Sequence, residues 1–130
     1  MTKYIIITIL WTLPFFVSAQ KPGSDIPGFK LMSSERKGDA LFATGDYRNY
    51  RAALRYYRKA EAVEKAERMA FVIDSIYDRN IYMAKRYLAS GSKTEFDRED
   101  FFDCLRRANE LIGGSADAAE LKEQYELLPE

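Results

Sequence analysis

The chain of 130 residues has no histidine. That removes the commonest general base, the commonest zinc ligand and the ordinary switch near neutral pH in one step. It has one cysteine, Cys104, so no internal disulfide can form and stability must come from packing. A GxSxG elbow, a P-loop and a dinucleotide fingerprint are missing too. These absences point to a protein that is not an enzyme and holds no cofactor or metal. Net charge is also absent, because 20 basic and 20 acidic residues cancel. A general polyanion binder is therefore not expected, and any electrostatic function must come from local clustering.

What is present begins with the first nineteen residues. Lys3 supplies a positive start, residues 4–17 are almost all apolar, and Val17-Ser18-Ala19 closes the run with small residues at the spacing a signal peptidase reads. Fourteen residues are too few for a membrane span, which needs roughly 20, and Pro14 interrupts them. The expectation is a cleaved signal peptide over 1–19 and a mature chain beginning near Gln20. No cysteine follows the apolar run closely enough to accept a lipid anchor. The protein is thus expected to be exported, as a periplasmic, outer-membrane-associated or secreted species. Only Lys3 is charged in the first nineteen residues, so the remaining 111 carry 19 cations and 20 acids, a formal charge of −1. That length suits a single domain with one core.

Residues 20–32 hold two prolines and two glycines and predict an extended lead-in. Residues 33–130 predict a helical domain. Ser33 or Ser34 can cap a first helix that Gly45-Asp46 ends. Residues 47–90 contain neither glycine nor proline, and their apolar residues recur at helical spacing: Ala53, Leu54, Tyr57, then Met69, Ile73, Ile76, Met83, Ala84, Tyr87. A single helix of that length would be unusual, and the apolar pattern thins over 61–68, so a break is expected near Val63. Gly91 closes the next helix, and Ser92, Thr94 and Asp97 compete to cap another that Gly113-Gly114 ends. Ser115 caps the last. The fold class is all-α, with five helices and no strand.

The helix pair over about 34–63 resembles a tetratricopeptide repeat (TPR). Its first helix carries Gly38, Leu41 and Phe42, its turn Gly45-Asp46-Tyr47, and its second helix Ala53-Leu54, Tyr57 and Ala60. Small residues at such places let two helices approach closely. Met83, Ala84, Tyr87 and Gly91, with Leu105 and Ala108, look like a looser second copy. Gly45 to Gly91 is 46 residues, against a family period of about 34. Lys37 stands where an apolar residue is usual, Phe101 where a small one is usual, and the closing prolines are missing. The resemblance implies a short α-solenoid of two TPR-like antiparallel helix pairs plus a C-terminal end helix. It also implies a concave groove lined by Glu35, Asp39 and Phe42 from the first pair and Asp78, Ile81, Lys85 and Leu88 from the second.

Arg48, Arg51, Arg55, Arg58 and Lys59 fall within twelve residues that contain no acid, interleaved with Tyr50, Tyr56 and Tyr57. Helical spacing puts the four arginines, Arg48, Arg51, Arg55 and Arg58, on one side as a basic stripe. Export and neutral total charge argue against nucleic acid and favour an acidic protein partner, or anionic envelope lipid or glycan. Asp97, Glu99, Asp100 and Asp103 lack the glycine and alternating oxygens of a calcium loop and read as helix-start acids favoured by the dipole. Asn80 lies near the apolar stripe as a satisfied structural group, and Cys104 reads as a buried thiol. The expected function is non-catalytic binding of a protein or peptide. The alternative is a structural subunit that self-assembles or stacks into a larger envelope complex.

Overall fold

A computed structural model describes residues 21–90 and 95–129, so the expected signal peptide and the capping candidates Ser92 and Thr94 lie outside the described residues. Five helices follow one another: α1 (Ser34–Ala43), α2 (Tyr50–Lys59), α3 (Val63–Ala89), α4 (Glu95–Ile112) and α5 (Ala116–Glu126), with no strand among the described residues. The all-α class is as the sequence predicts.

Most helix ends follow from local chemistry. The Ser33 hydroxyl accepts the Arg36 N–H at 3.3 Å and starts α1; Gly45, at φ 69°, turns the chain after it. A single 3-10 turn, Tyr47–Asn49, then leads into α2. The Ser115 hydroxyl accepts the Ala118 N–H at 3.0 Å and starts α5. Asp97 is not a cap, because α4 already begins at Glu95.

The expected break near Val63 is present, and its cause is Glu61. This residue takes a left-handed conformation at φ 58°, a position that usually belongs to glycine. Two hydrogen bonds hold it there. The Ala62 N–H donates to the Tyr57 carbonyl at 3.0 Å, and the Glu61 N–H donates to the Arg58 carbonyl at 3.1 Å. This pair is the Schellman ending of a helix, formed without its usual glycine.

Packing then divides the molecule into two cores that share α3. The first gathers Phe29, Leu41, Tyr50, Ala53, Tyr57, Met69, Ile73 and Leu111. The second gathers Ile81, Ala84, Phe101, Cys104, Leu105, Ala108, Leu121 and Tyr125. Tyr77 packs against both. At 27 residues, α3 is about 40 Å long, enough to serve one core with each half.

Gly38 is what lets α1 and α2 close. A Cβ there would come 2.6 Å from the Tyr57 ring, so the aromatic occupies the space a side chain would need. Two of the departures from the repeat pattern, Lys37 and Phe101, also find uses. The Lys37 ammonium lies 5.5 Å from the ring centres of both Phe29 and Tyr56, a cation–π contact on an otherwise apolar edge. Phe101 stacks on Tyr125 at 4.9 Å, which seats α5 on α4.

The lead-in is not extended. Successive backbone hydrogen bonds, Ser24 to Lys21, Ile26 to Gly23 and Phe29 to Ile26, fold it into turns, and buried Phe29 pins it to the first core. Burial of an aromatic ring, worth about 2–3 kcal/mol, overrides the local preference of the prolines. Asn80 is buried, and its Nδ2 donates to the Ile76 carbonyl at 2.8 Å, the satisfied structural role expected.

Two substitutions test these junctions. Gly38→Ala gains about 1 kcal/mol of helix propensity but overpacks the Tyr57 ring at about 1–3 kcal/mol; the urea midpoint should fall. Glu61→Gly relieves the left-handed strain and should raise stability by about 0.5–1 kcal/mol, read from the same urea curves.

Candidate functional site

The residues expected to share one groove occupy different places. Asp39 and Glu35 of α1 are tied up internally. The Tyr57 hydroxyl donates to Asp39 Oδ1 at 2.7 Å, and Lys65 Nζ reaches Asp39 Oδ2 and Glu35 Oε1 at 3.0 Å each. This network staples α1, α2 and α3 together. Burial alone would raise the Asp39 carboxyl, yet the hydrogen bonds from Tyr57 and Lys65 hold it below its ordinary 3.8. Burial and the Asp39 carboxylate push the Tyr57 hydroxyl well above 10.0. Phe42 packs edge-to-face on Tyr50 at 5.4 Å. Ile81 is only 7% exposed and belongs to the second core; a groove residue at that position is corrected to a core residue, because α3 needs that side to hold α4 and α5.

Asp78 and Lys85 do face solvent. They lie on the outer side of α3, opposite the buried line of Met69, Ile73, Asn80 and Ala84. Two large aromatics missed by sequence reasoning share that side: Phe71 is 72% exposed and Tyr82 60%. Eleven residues apart, they sit about three turns from each other on nearly the same bearing, roughly 16 Å along the axis. The Arg86 guanidinium lies 6.0 Å from the Tyr82 ring centre. The signal was present in the sequence as two rings out of phase with the core stripe. Lys85 and half-buried Leu88 also border a groove of about 420 Å³ against Asp117, Glu120 and Gln124 of α5.

The basic stripe divides as well. Arg48 stands before α2 and pairs with Asp46 at 2.7 Å. Arg51, Arg55 and Arg58 line a separate groove of about 460 Å³, whose other borders include Leu54, Ala70, Ile73, Asp74, Leu111 and Ile112. None of these three arginines has an ion-pair partner among the described residues. Arg51 lies over Gly113 so closely that a Cβ there would collide with its guanidinium. Arg58 and Ala70 also border a neighbouring depression of about 570 Å³ lined by Tyr57, Glu61, Ala62, Val63, Ala66 and Glu67. The interleaved tyrosines turn inward: Tyr50 and Tyr57 are buried and Tyr56 packs on Phe29. Their rings are spent on the core and are not offered to a ligand.

Among the described residues, no three His, Cys, Asp or Glu side chains converge to hold a metal. Asp103 accepts from Arg106 at 3.2 Å, and Asp100 accepts from the Tyr87 hydroxyl at 3.4 Å. Cys104 is buried, and that burial raises its thiol pKa, which suits a structural group rather than a nucleophile. No described helix is long and apolar enough to cross a membrane. Compared with protein-family models, curated proteins and solved structures, the chain gives no match.

The Asp39 network should shape stability against pH. With Asp39 held below 3.8, its contribution is complete above that value and is lost as pH falls through the lowered pKa. With Tyr57 raised above 10.0, its contribution is complete below 10.0 and is lost as pH rises beyond it. Asp39→Asn should cost about 1 kcal/mol or less at neutral pH, since the carboxylate is half-exposed, and should flatten the acid limb. Tyr57→Phe should flatten the alkaline limb. Urea midpoints across pH for both variants check the signs.

Proposed function

We propose that this protein is an exported, non-catalytic, TPR-like interaction module that holds a protein or peptide partner against the outer face of α3. The observation that carries this reading is the pair Phe71 and Tyr82, both mostly exposed on one side of a helix whose other side is packed along its length. Exposed aromatics of this size are costly to leave in water and are favoured anchors at interfaces. Asp78 and Lys85 flank them and can set orientation through charge. Two cores hold α3, so binding orders little on this side of the interface.

The repeat-like architecture draws support from α1 and α2, where Gly38 admits the Tyr57 ring as small residues do in stacked helix pairs. In this reading α3 and α4 form the second pair and α5 the end helix. Export draws its support from the composition of residues 1–19.

The full chain, tagged at its C-terminus, tests the proposal when recovered from the cell envelope. Its N-terminus should be Gln20, and one dominant protein should accompany it at moderate salt. Phe71→Ala with Tyr82→Ala should weaken that capture tenfold or more, and Asp78→Ala with Lys85→Ala several-fold, with the helical circular dichroism unchanged. Undiminished capture by the aromatic double variant would refute the assignment to α3. Salt-sensitive binding to anionic vesicles or glycan with no protein captured would replace it with a surface-binding role.

A further inference from the structure

The charges of two helices packed on different halves of α3 are segregated. Helix α2 carries Arg51, Arg55, Arg58 and Lys59 and no acid. Helix α5 carries Asp117, Glu120, Glu123 and Glu126 against the single cation Lys122. Ala118, Leu121 and Tyr125 are the buried side of α5, which leaves Glu120, Glu123 and Leu127 in a row on its outer side. Leu127 is 84% exposed, and nothing in its own domain covers it.

The dimensions correspond. Glu120 to Leu127 and Arg51 to Arg58 each span seven residues, about 10 Å along a helix. The floor beside the arginines offers apolar surface at Leu54, Ile73 and Leu111, with Asp74 the one acid that borders the groove; the neighbouring depression sets Ala62, Val63 and Ala66 beside Glu61 and Glu67. An incoming Leu127 can bury there while Glu120 and Glu123 meet arginines that have no ion-pair partner among the described residues. Helix α2 packs on the first half of α3 and α5 on the second, and Glu120, Glu123 and Leu127 are not among the residues that border the arginine groove.

We infer that the groove between α2 and α3 receives the outer face and end of α5 from a second copy of this chain, in a head-to-tail contact. Because the two sides of the contact differ, a pair of copies still presents one groove and one acidic end. Further copies can then add, closing a ring or extending as an open chain according to the rotation at each contact, where a symmetric dimer would stop. This does not depend on Phe71 and Tyr82, which border neither of the two hollows.

Sedimentation velocity of the mature chain over a concentration series, at low and moderate salt, tests the contact. The weight-average mass should rise with concentration and rise less at moderate salt, since the arginines and carboxylates are screened there. Arg55→Glu with Arg58→Glu, and separately Glu120→Arg with Glu123→Arg, should each weaken association tenfold or more, and all four changes in one chain should restore it. Arg51 is left unchanged because it rests against Gly113. Leu127→Ser, remote from both cores, should weaken association without a change in sign of any charge. A monomer at every concentration would overturn the inference. So would association that ignores the α5 reversals, or arginine reversals that abolish binding to acidic peptide or anionic vesicles while leaving the mass of the protein unchanged.

Discussion

Everything in this fold depends on α3 being long enough to belong to two cores at once. Its first half supplies Met69 and Ile73 to one, and its second half Ile81 and Ala84 to the other. Between them Tyr77 touches both and ties in α5, its hydroxyl 2.6 Å from Ser115 Oγ and 2.9 Å from Asp117 Oδ2. Asn80 sits in the same buried line without disturbing it, because its amide is satisfied by the helix's own carbonyl at Ile76. A buried amide left unbonded would cost about 1–3 kcal/mol, enough to matter in a domain of this size.

A helix held on one side by two cores must present its other side to something. In most surface helices that side is charged and needs no explanation. Here Phe71 and Tyr82 stand among Glu67, Asp74, Asp78 and Lys85. Neither ring contributes to a core, and neither could turn inward without displacing the Met69–Ala84 line. Their exposure is therefore a property of the helix's phase and not of a local irregularity, which is why the proposed function rests on them.

The arginines of α2 have a partly structural origin. Arg58 and Lys59 lie in its last turn, where cations are favoured by the helix dipole, and Arg48 is held by Asp46. Arg51 and Arg55 have neither explanation. They border a groove built from three helices, apolar at Leu54, Ile73 and Leu111 with Asp74 at its edge, and they are opposite in charge to the outer face of α5. Local helix electrostatics thus accounts for one end of the stripe, and the proposed contact with a second copy would use the remainder.

The turns written in residue type were legible: Ser33, Gly45, Gly113-Gly114 and Ser115 act at the places their chemistry implies, since caps and left-handed glycines work through their immediate neighbours. Glu61 was legible only as a thinning of the apolar pattern, because a left-handed glutamate is held by backbone hydrogen bonds that no side chain announces. The TPR resemblance implied one groove face for Asp78, Ile81 and Lys85, and burial separates Ile81 from the exposed pair. How wide the buried face of α3 must be depends on how many helices press against it. The prolines of the lead-in spoke for extension, and the contact of Phe29 with the first core decided otherwise. The sequence by itself determined five helices and most of their ends, because those rest on contacts within a turn or two. The tertiary structure alone decided that two cores share α3, that Arg51 meets Gly113, and that the basic and acidic helices pack on different halves of α3. Those outcomes depend on which faces meet across long stretches of chain, and local chemistry does not encode that.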